Sequence, residues 1–188
     1  MMPKPHHRKV ALMSLYALSI PVLTRGLSNL IACLDKGAAW CAETGTAESE
    51  LLDARLAPDM HPLTRQFQMV SDAAKGAGGR LTDGNVPSMP DTETGFAELR
   101  ARLQRTIDYL DGIDAAAVDA KAGTEIIVKL PGAEMRLDAE DFLAKFVFPN
   151  FFFHVAMAYA ILRMKGVPLG KMDYLQLQDV IVRTPAAA

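Results

Sequence analysis

Ala139-Glu-Asp-Phe-Leu-Ala-Lys-Phe-Val-Phe-Pro-Asn-Phe-Phe-Phe-His-Val-Ala-Met-Ala-Tyr-Ala-Ile-Leu-Arg-Met-Lys165 is the most apolar stretch of the chain, and its reading decides the fold class. Phe142, Phe146, Phe148, Phe151, Phe152, Phe153, Met157, Tyr159 and Ile161 point in nearly every direction around a helix. A helix that is apolar all round is expected to be buried all round. Asp138, with Asp141 three residues on, resembles a cap at its start, and Gly166 followed by Pro168 is a stop signal. Pro149 is expected to kink this helix or split it. Lys145, Asn150 and His154 interrupt the apolar run, which favours a core helix over a membrane span.

A buried helix needs partners, and the chain offers three more helical patterns. Residues 15–42 carry Ile20, Leu23, Leu27, Leu30, Leu34, Ala38 and Cys41 at three- and four-residue spacing. Pro21 is expected in the first turn of that helix and Gly45 at its end. Residues 48–56 read as a short extra helix. Residues 60–80 follow on a stripe of Leu63, Phe67, Val70, Ala74 and Ala77, with Asp59 as the expected N-cap. Gly76, Gly78 and Gly79 suggest that its end frays. Residues 82–91 are dense in turn formers and form a loop. Residues 93–110 present Phe96, Leu99, Leu103 and Ile107 inward, with Asp91 or Thr92 as cap. Between the third and fourth long helices the period changes: residues 124–130 are β-rich, Pro131-Gly132 is a turn, and residues 135–137 return. The economical architecture is an all-α bundle of four antiparallel helices, with a short extra helix and a small β-hairpin between helices 3 and 4.

The 188 residues suit a single domain, assigned to residues 13–175. Residues 1–12 are read as a flexible N-terminal extension and residues 176–188 as a C-terminal tail, with Leu175, Leu177, Val180 and Ile181 as the packing residues of the C-terminal stretch. Half of the residues are hydrophobic, enough for a substantial core, and the net charge of -2 leaves no basic footprint for nucleic acid. Lys4, His6, His7, Arg8 and Lys9 precede an apolar run, but no small-x-small cleavage site follows, so no secretory signal is expected. Cys33 and Cys41 would lie roughly 12 Å apart along one helix, too far for a disulfide. Reduced, buried thiols point to the cytoplasm.

Nucleophile and phosphate-loop motifs are absent: there is no Gly-x-Ser-x-Gly and no Gly-x-x-x-x-Gly-Lys. Of the four histidines, His6 and His7 sit in the leader, His61 precedes the second long helix, and His154 stands among phenylalanines. A histidine so placed must find a hydrogen bond or stay neutral. It is either a satisfied core residue or a general acid/base lining a pocket. Asn150 shares its stripe one turn earlier, while Asp59 and Gln66 flank the apolar stripe of the second long helix. If those helices face each other, Asp59, Gln66, Asn150 and His154 converge. His154 is then the catalytic candidate, and Asp59, His61, Gln66 and Asn150 are substrate-binding candidates. His61, Arg65, Gln68, Asp72 and Lys75 form a second stripe, read as a solvated face with an ordinary Asp72–Lys75 surface pair.

Three blocks carry a family resemblance. They are Arg55-Leu-Ala-Pro-Asp-Met-His-Pro-Leu-Thr-Arg-Gln-Phe-Gln-Met-Val-Ser-Asp-Ala-Ala-Lys75, Pro90-Asp-Thr-Glu-Thr-Gly-Phe-Ala-Glu-Leu-Arg100, and Pro149-Asn-Phe-Phe-Phe-His-Val-Ala-Met-Ala-Tyr-Ala-Ile-Leu-Arg163. With Gly166-Val-Pro-Leu-Gly-Lys171, they resemble an uncharacterised branch of the DinB/YfiT-like superfamily, known as a domain of unknown function. The resemblance implies a four-helix bundle, often dimeric. In better-known relatives it implies a divalent metal held by three histidines, sometimes serving thiol-dependent transferases or isomerases. Here His61 and His154 stand at plausible positions, but Asn150 and Ala158 occupy the places one turn either side of His154. The expectation is therefore a small-molecule-binding or -transforming bundle with an apolar pocket, no complete tri-histidine site, no cofactor and no stoichiometric metal. The alternatives are a structural homodimer, given eight Phe and ten Met, or a metal- and thiol-dependent transferase.

Overall fold

The computed structural model describes residues 14–177 and 181. The expected N-terminal extension, with His6 and His7, lies outside the described residues, as does most of the expected tail, Val180 included; Ile181, expected to pack, is exposed. Four long helices form the frame: α1 (Leu15–Thr44), α3 (Leu63–Arg80), α4 (Phe96–Asp111) and α7 (Phe148–Met164). Between them lie α2 (Glu48–Leu52), α5 (Ala115–Asp119), the hairpin β1 (Glu125–Leu130) and β2 (Ala133–Asp138), α6 (Ala139–Asp141) and a π-helical turn (Phe142–Val147). A last short helix, α8 (Lys171–Leu175), packs against α1.

Local chemistry sets the boundaries. Ser14 caps α1, accepting from the Ala17 N–H at 3.1 Å, so Pro21 sits inside the helix and does not open it. Gly45, at φ 70°, ends it in the left-handed conformation that glycine adopts without a Cβ clash. α3 begins at Leu63 with Pro62 in the cap position, and Asp59 is exposed. The expected Asp59 cap is thus corrected: a residue before proline is pushed out of the helical region, so His61 cannot be helical. α4 starts at Phe96, not at residue 93, because Glu93 turns inward to a buried arginine. The Asp138 cap is present, its carboxylate accepting from the Asp141 N–H at 2.7 Å. The hairpin pairs Glu125 with Asp138 through Leu130 with Ala133 and buries Ile126 and Val128.

Directions follow from the contacts. The Ser71 and Thr106 hydroxyls meet at 2.8 Å, and seven residues on, Gly78 lies against Leu110 and Ile113. Hence α3 and α4 run parallel, not antiparallel as the sequence suggested. Gly26 lies against Phe151 and Gly37 against Leu162, so α1 and α7 are parallel too. The Gln66–His154 contact, with Ala77 and Phe142 lining one groove, makes α3 and α7 antiparallel. The bundle is up-down-down-up. Two consecutive helices pointing the same way need a connection as long as themselves, and residues 81–95 supply it.

Leu23, Leu27, Leu30 and Leu34 of α1, Phe67 and Val70 of α3, Leu99 and Leu103 of α4, and Phe151 and Ile161 of α7 fill the centre. α1 and the stretch Ala139–Met164 are long and apolar enough to cross a bilayer, and in this fold both contribute heavily to that core. The last long helix is not buried on every side: Phe153 and Met164 are about half exposed, at 51% and 52%, because each bundle helix keeps an outer face. Nor does Pro149 break it. The π turn directly ahead widens the helix where the ring would strike a carbonyl, and the helical path continues.

Candidate functional site

His154 projects from α7 towards α3 and is 5% exposed. Its Nδ1 lies 2.8 Å from Gln66 Oε1, and Gln66 Nε2 donates to the His61 carbonyl at 3.0 Å. The second bond fixes the first. An amide whose NH₂ faces a carbonyl must present its oxygen to the ring, so Nδ1 carries the proton and donates. In a neutral imidazole that leaves Nε2 as a bare lone pair. Among the described residues only Thr24 Oγ1 and Arg102 Nε are sealed polar atoms without a partner, so Nε2 is not closed off. Burial, then the nearby charges of His61 and Arg65, push His154 below the ordinary histidine range. The outcome is a neutral, oriented base.

Beyond the histidine, the α3–α7 seam opens into a groove of about 230 Å³ that runs towards the end of α3. Met69, Ala73 and Ala77 form one wall, and Phe142, Phe146 and Val147 of the π turn form the other. Asn150 stands at the histidine end, with Arg65, and Arg80 lies on the same groove fifteen residues along α3, where Phe142 begins the π turn. Of the expected site residues, Gln66 and His154 meet directly, and Asn150, one turn before His154 on α7, lines the groove, which Gln66 and His154 themselves do not. His61 contributes its carbonyl, while its side chain is exposed. Asp59 is exposed and makes no hydrogen bond or ion pair among the described residues; the structure does not bring it to the others.

The expected solvated stripe needs correcting. Gln68 is buried and Asp72 half-buried, because the connection 81–95 returns over this face of α3. Arg102 of α4 is fully buried beneath it, binding Asp72 at 2.9 Å, Asp91 at 2.9 Å, Glu93 at 3.0 Å and the Pro90 carbonyl at 3.2 Å. Gln68 donates to Glu93 at 3.0 Å. Burial raises the Glu93 carboxyl, but the bonds from Gln68 and Arg102 outweigh it and hold the group below the ordinary carboxylate range. Arg65 pairs with Asp91 and donates to Gln68 at 3.2 Å.

The glycines near the end of α3 are not a frayed end either; all three are buried. A Cβ on Gly76 would stand 2.8 Å from Arg80 Nη1, which donates to the Gly76 carbonyl at 2.9 Å. Gly78 makes room for Ile113, and Gly79 for Val86. Sequence reading therefore missed Arg65, Arg80 and the two π-turn phenylalanines as groove residues. The available signal was the run Arg65, Met69, Ala73, Ala77, Arg80 at helical spacing.

A tri-histidine metal centre does not fit these side chains. Ala158, fully buried, stands one turn on from His154 where a second histidine would be needed, and no group of three His, Cys, Asp or Glu converges among the described residues. No curated protein matches the chain. Among solved structures, a DinB family member protein from Shewanella denitrificans is similar to it, at 36% identity and a TM-score of 0.79, over 93% of this chain and 95% of that one. A family model described as a domain of unknown function, DUF1993, matches residues 15–175. With the family model spanning most of the chain and the solved relative sharing its fold, the chain belongs to this family of unknown function within the DinB-like superfamily.

Proposed function

We propose that this protein binds and transforms a small organic molecule at the α3–α7 seam, with His154 Nε2 as proton acceptor. The observation that supports this reading is the chain from His154 to Gln66 to the His61 carbonyl, which sets one tautomer and leaves one nitrogen free. Asn150 supplies a hydrogen-bonding group inside the groove. His61, in the exposed segment leading into α3, meets the ligand from solvent. Two free, buried cysteines suit a cytoplasmic protein. The thiol-transferase chemistry of tri-histidine relatives has no place in this reading, since the donor set it needs is not assembled among the described residues.

A fragment library screened by thermal shift against the wild type, His154→Ala and Gln66→Leu tests it. Fragments that stabilise the wild type should lose their effect in folded His154→Ala. An unchanged set of binders would sink the proposal.

A second reading, self-association, rests on a different observation. Phe153 and Met164 are exposed, and Met157 and Ala160 continue the same outer stripe of α7. A homodimer would bury that stripe. Light scattering should then give twice the chain mass, falling to one in Phe153→Glu.

A further inference from the structure

The groove beyond His154 has one wall of aliphatic residues, one of aromatic residues and a guanidinium at its far end. We propose that it takes an organic monocarboxylate, with the carboxylate on Arg80 and the apolar body between Ala73 and Phe146. This rests on the seam being a ligand site and adds the class of ligand.

Arg80 is held in place for such a role. Its Nη1 is anchored to the Gly76 carbonyl, and the missing side chain at Gly76 lets the guanidinium lie back along α3. Among the described residues it has no ion-pair partner, whereas Arg65 at the other end is already paired with Asp91. One guanidinium edge thus remains for two parallel N–H···O bonds to a planar carboxylate, the geometry an arginine fork recognises best. The apolar walls add the burial that a bare inorganic anion could not use.

Asp72 also lines the groove and narrows the class further. Its charge is shared with Arg102 and Lys75, at 2.9 and 3.0 Å. A singly charged ligand meets a small penalty there, and a dianion a larger one. Length is set by the π turn: eight helical residues from Phe142 to Asn150 span on the order of 12 Å. A body of that length, held at Arg80, brings its other end to Asn150, one turn before His154 on α7.

The probe is 4-phenylbutyrate, compared with its neutral amide, 4-phenylbutyramide, and with 3-phenylpropylphosphonate, by ¹H–¹⁵N NMR titration of the full chain. The carboxylate should shift amides of α3 and the π turn and bind about tenfold tighter than the amide. Arg80→Met should remove that advantage while leaving amide binding within about twofold, and Arg80→Lys should retain part of it. Equal affinity for acid and amide, an advantage that survives in folded Arg80→Met, no binding of the acid, or tighter binding of the phosphonate in mildly alkaline buffer, where it is a dianion, would each overturn the proposal. Its failure is separable from that of the acid/base reading. Carboxylate binding that leaves the His154 ring resonances and their titration untouched keeps this inference and breaks the other. Neutral fragments that move His154 while the acid does not bind do the reverse.

Discussion

Gln66 and Gln68 are two residues apart on α3 and both are buried, yet they serve clusters of opposite character. Gln68 belongs to the Arg102 cluster, where four backbone and side-chain acceptors close around one guanidinium and only Nε is left over. Gln66 belongs to the His154 pair, where one nitrogen is fixed and the other stays free. The first arrangement satisfies nearly every valence and ties a connection to two helices. The second spends one hydrogen bond to prepare one unspent lone pair. A polar group that burial has saturated holds structure; one that burial has oriented and left open can meet a ligand.

If that distinction is right, the largest effect comes from breaking the saturated cluster. Arg102→Met leaves the Glu93 carboxylate buried with Gln68 as its remaining side-chain partner, and should cost about 3 kcal/mol. Chemical denaturation measures it. Glu93→Gln in the same chain should recover part of the loss, because the orphaned charge is then gone. The His154 titration should hardly move. A loss below about 1 kcal/mol would mean that the connection 81–95 resolvates freely and does not strap the bundle.

Gln66→Leu comes next. It leaves the His154 N–H and the His61 carbonyl without their partner, at about 1–2 kcal/mol. Its more telling readout is the ring itself. ¹⁵N shifts of His154 should report one tautomer, protonated at Nδ1, in the wild type and a mixture in the variant. A single unchanged tautomer would show that something other than Gln66 sets it.

A smaller effect separates the clusters by pH. The folded-state pKa of His154 lies below the ordinary value of 6.5, so the unfolded chain binds more protons in the interval between the two. Stability from this group is fully present above 6.5 and declines as pH falls towards the folded value. His154→Gln should flatten that part of the curve. Glu93 acts in the same direction, but its window opens below its ordinary value of 4.5, whereas that of His154 opens already below 6.5. A stability curve that is flat around pH 6 in the wild type would contradict the neutral, buried imidazole.

These contrasts also show what periodicity conveys and what it omits. Four helices, the hairpin and the Gln66–His154 meeting were legible because apolar spacing names the inward face of a helix, and two inward faces must touch. Direction was not legible. Periodicity is identical for a helix read up or down, and only the fifteen-residue connection hinted that α3 and α4 are parallel. The same omission made the Arg65–Lys75 stripe look solvated, since a polar face covered by a returning segment has the composition of one covered by water. Arg80 escaped notice for a related reason: its seat is a backbone carbonyl exposed by a glycine, and a glycine near a helix end ordinarily reads as fraying.

The smallest effect is a control set by the molecule itself. Arg100 lies two residues before Arg102 on α4 and pairs with Asp35 of α1 at 3.1 Å, a distance like those in the buried cluster. The side chains of Arg100 and Asp35 are each 51% exposed, against 0% for Arg102. Water already solvates the Arg100 pair, salt screens it, and holding two long side chains together costs entropy. Arg100→Ala should therefore change stability by less than about 0.5 kcal/mol, and by less still at high salt. Denaturation of the two arginine variants side by side isolates burial, because charge, helix and bond length are nearly shared. If Arg100→Ala costs as much as Arg102→Met, the interhelical ion pairs act through α1–α4 docking at large, and the saturated cluster loses its claim to a separate role.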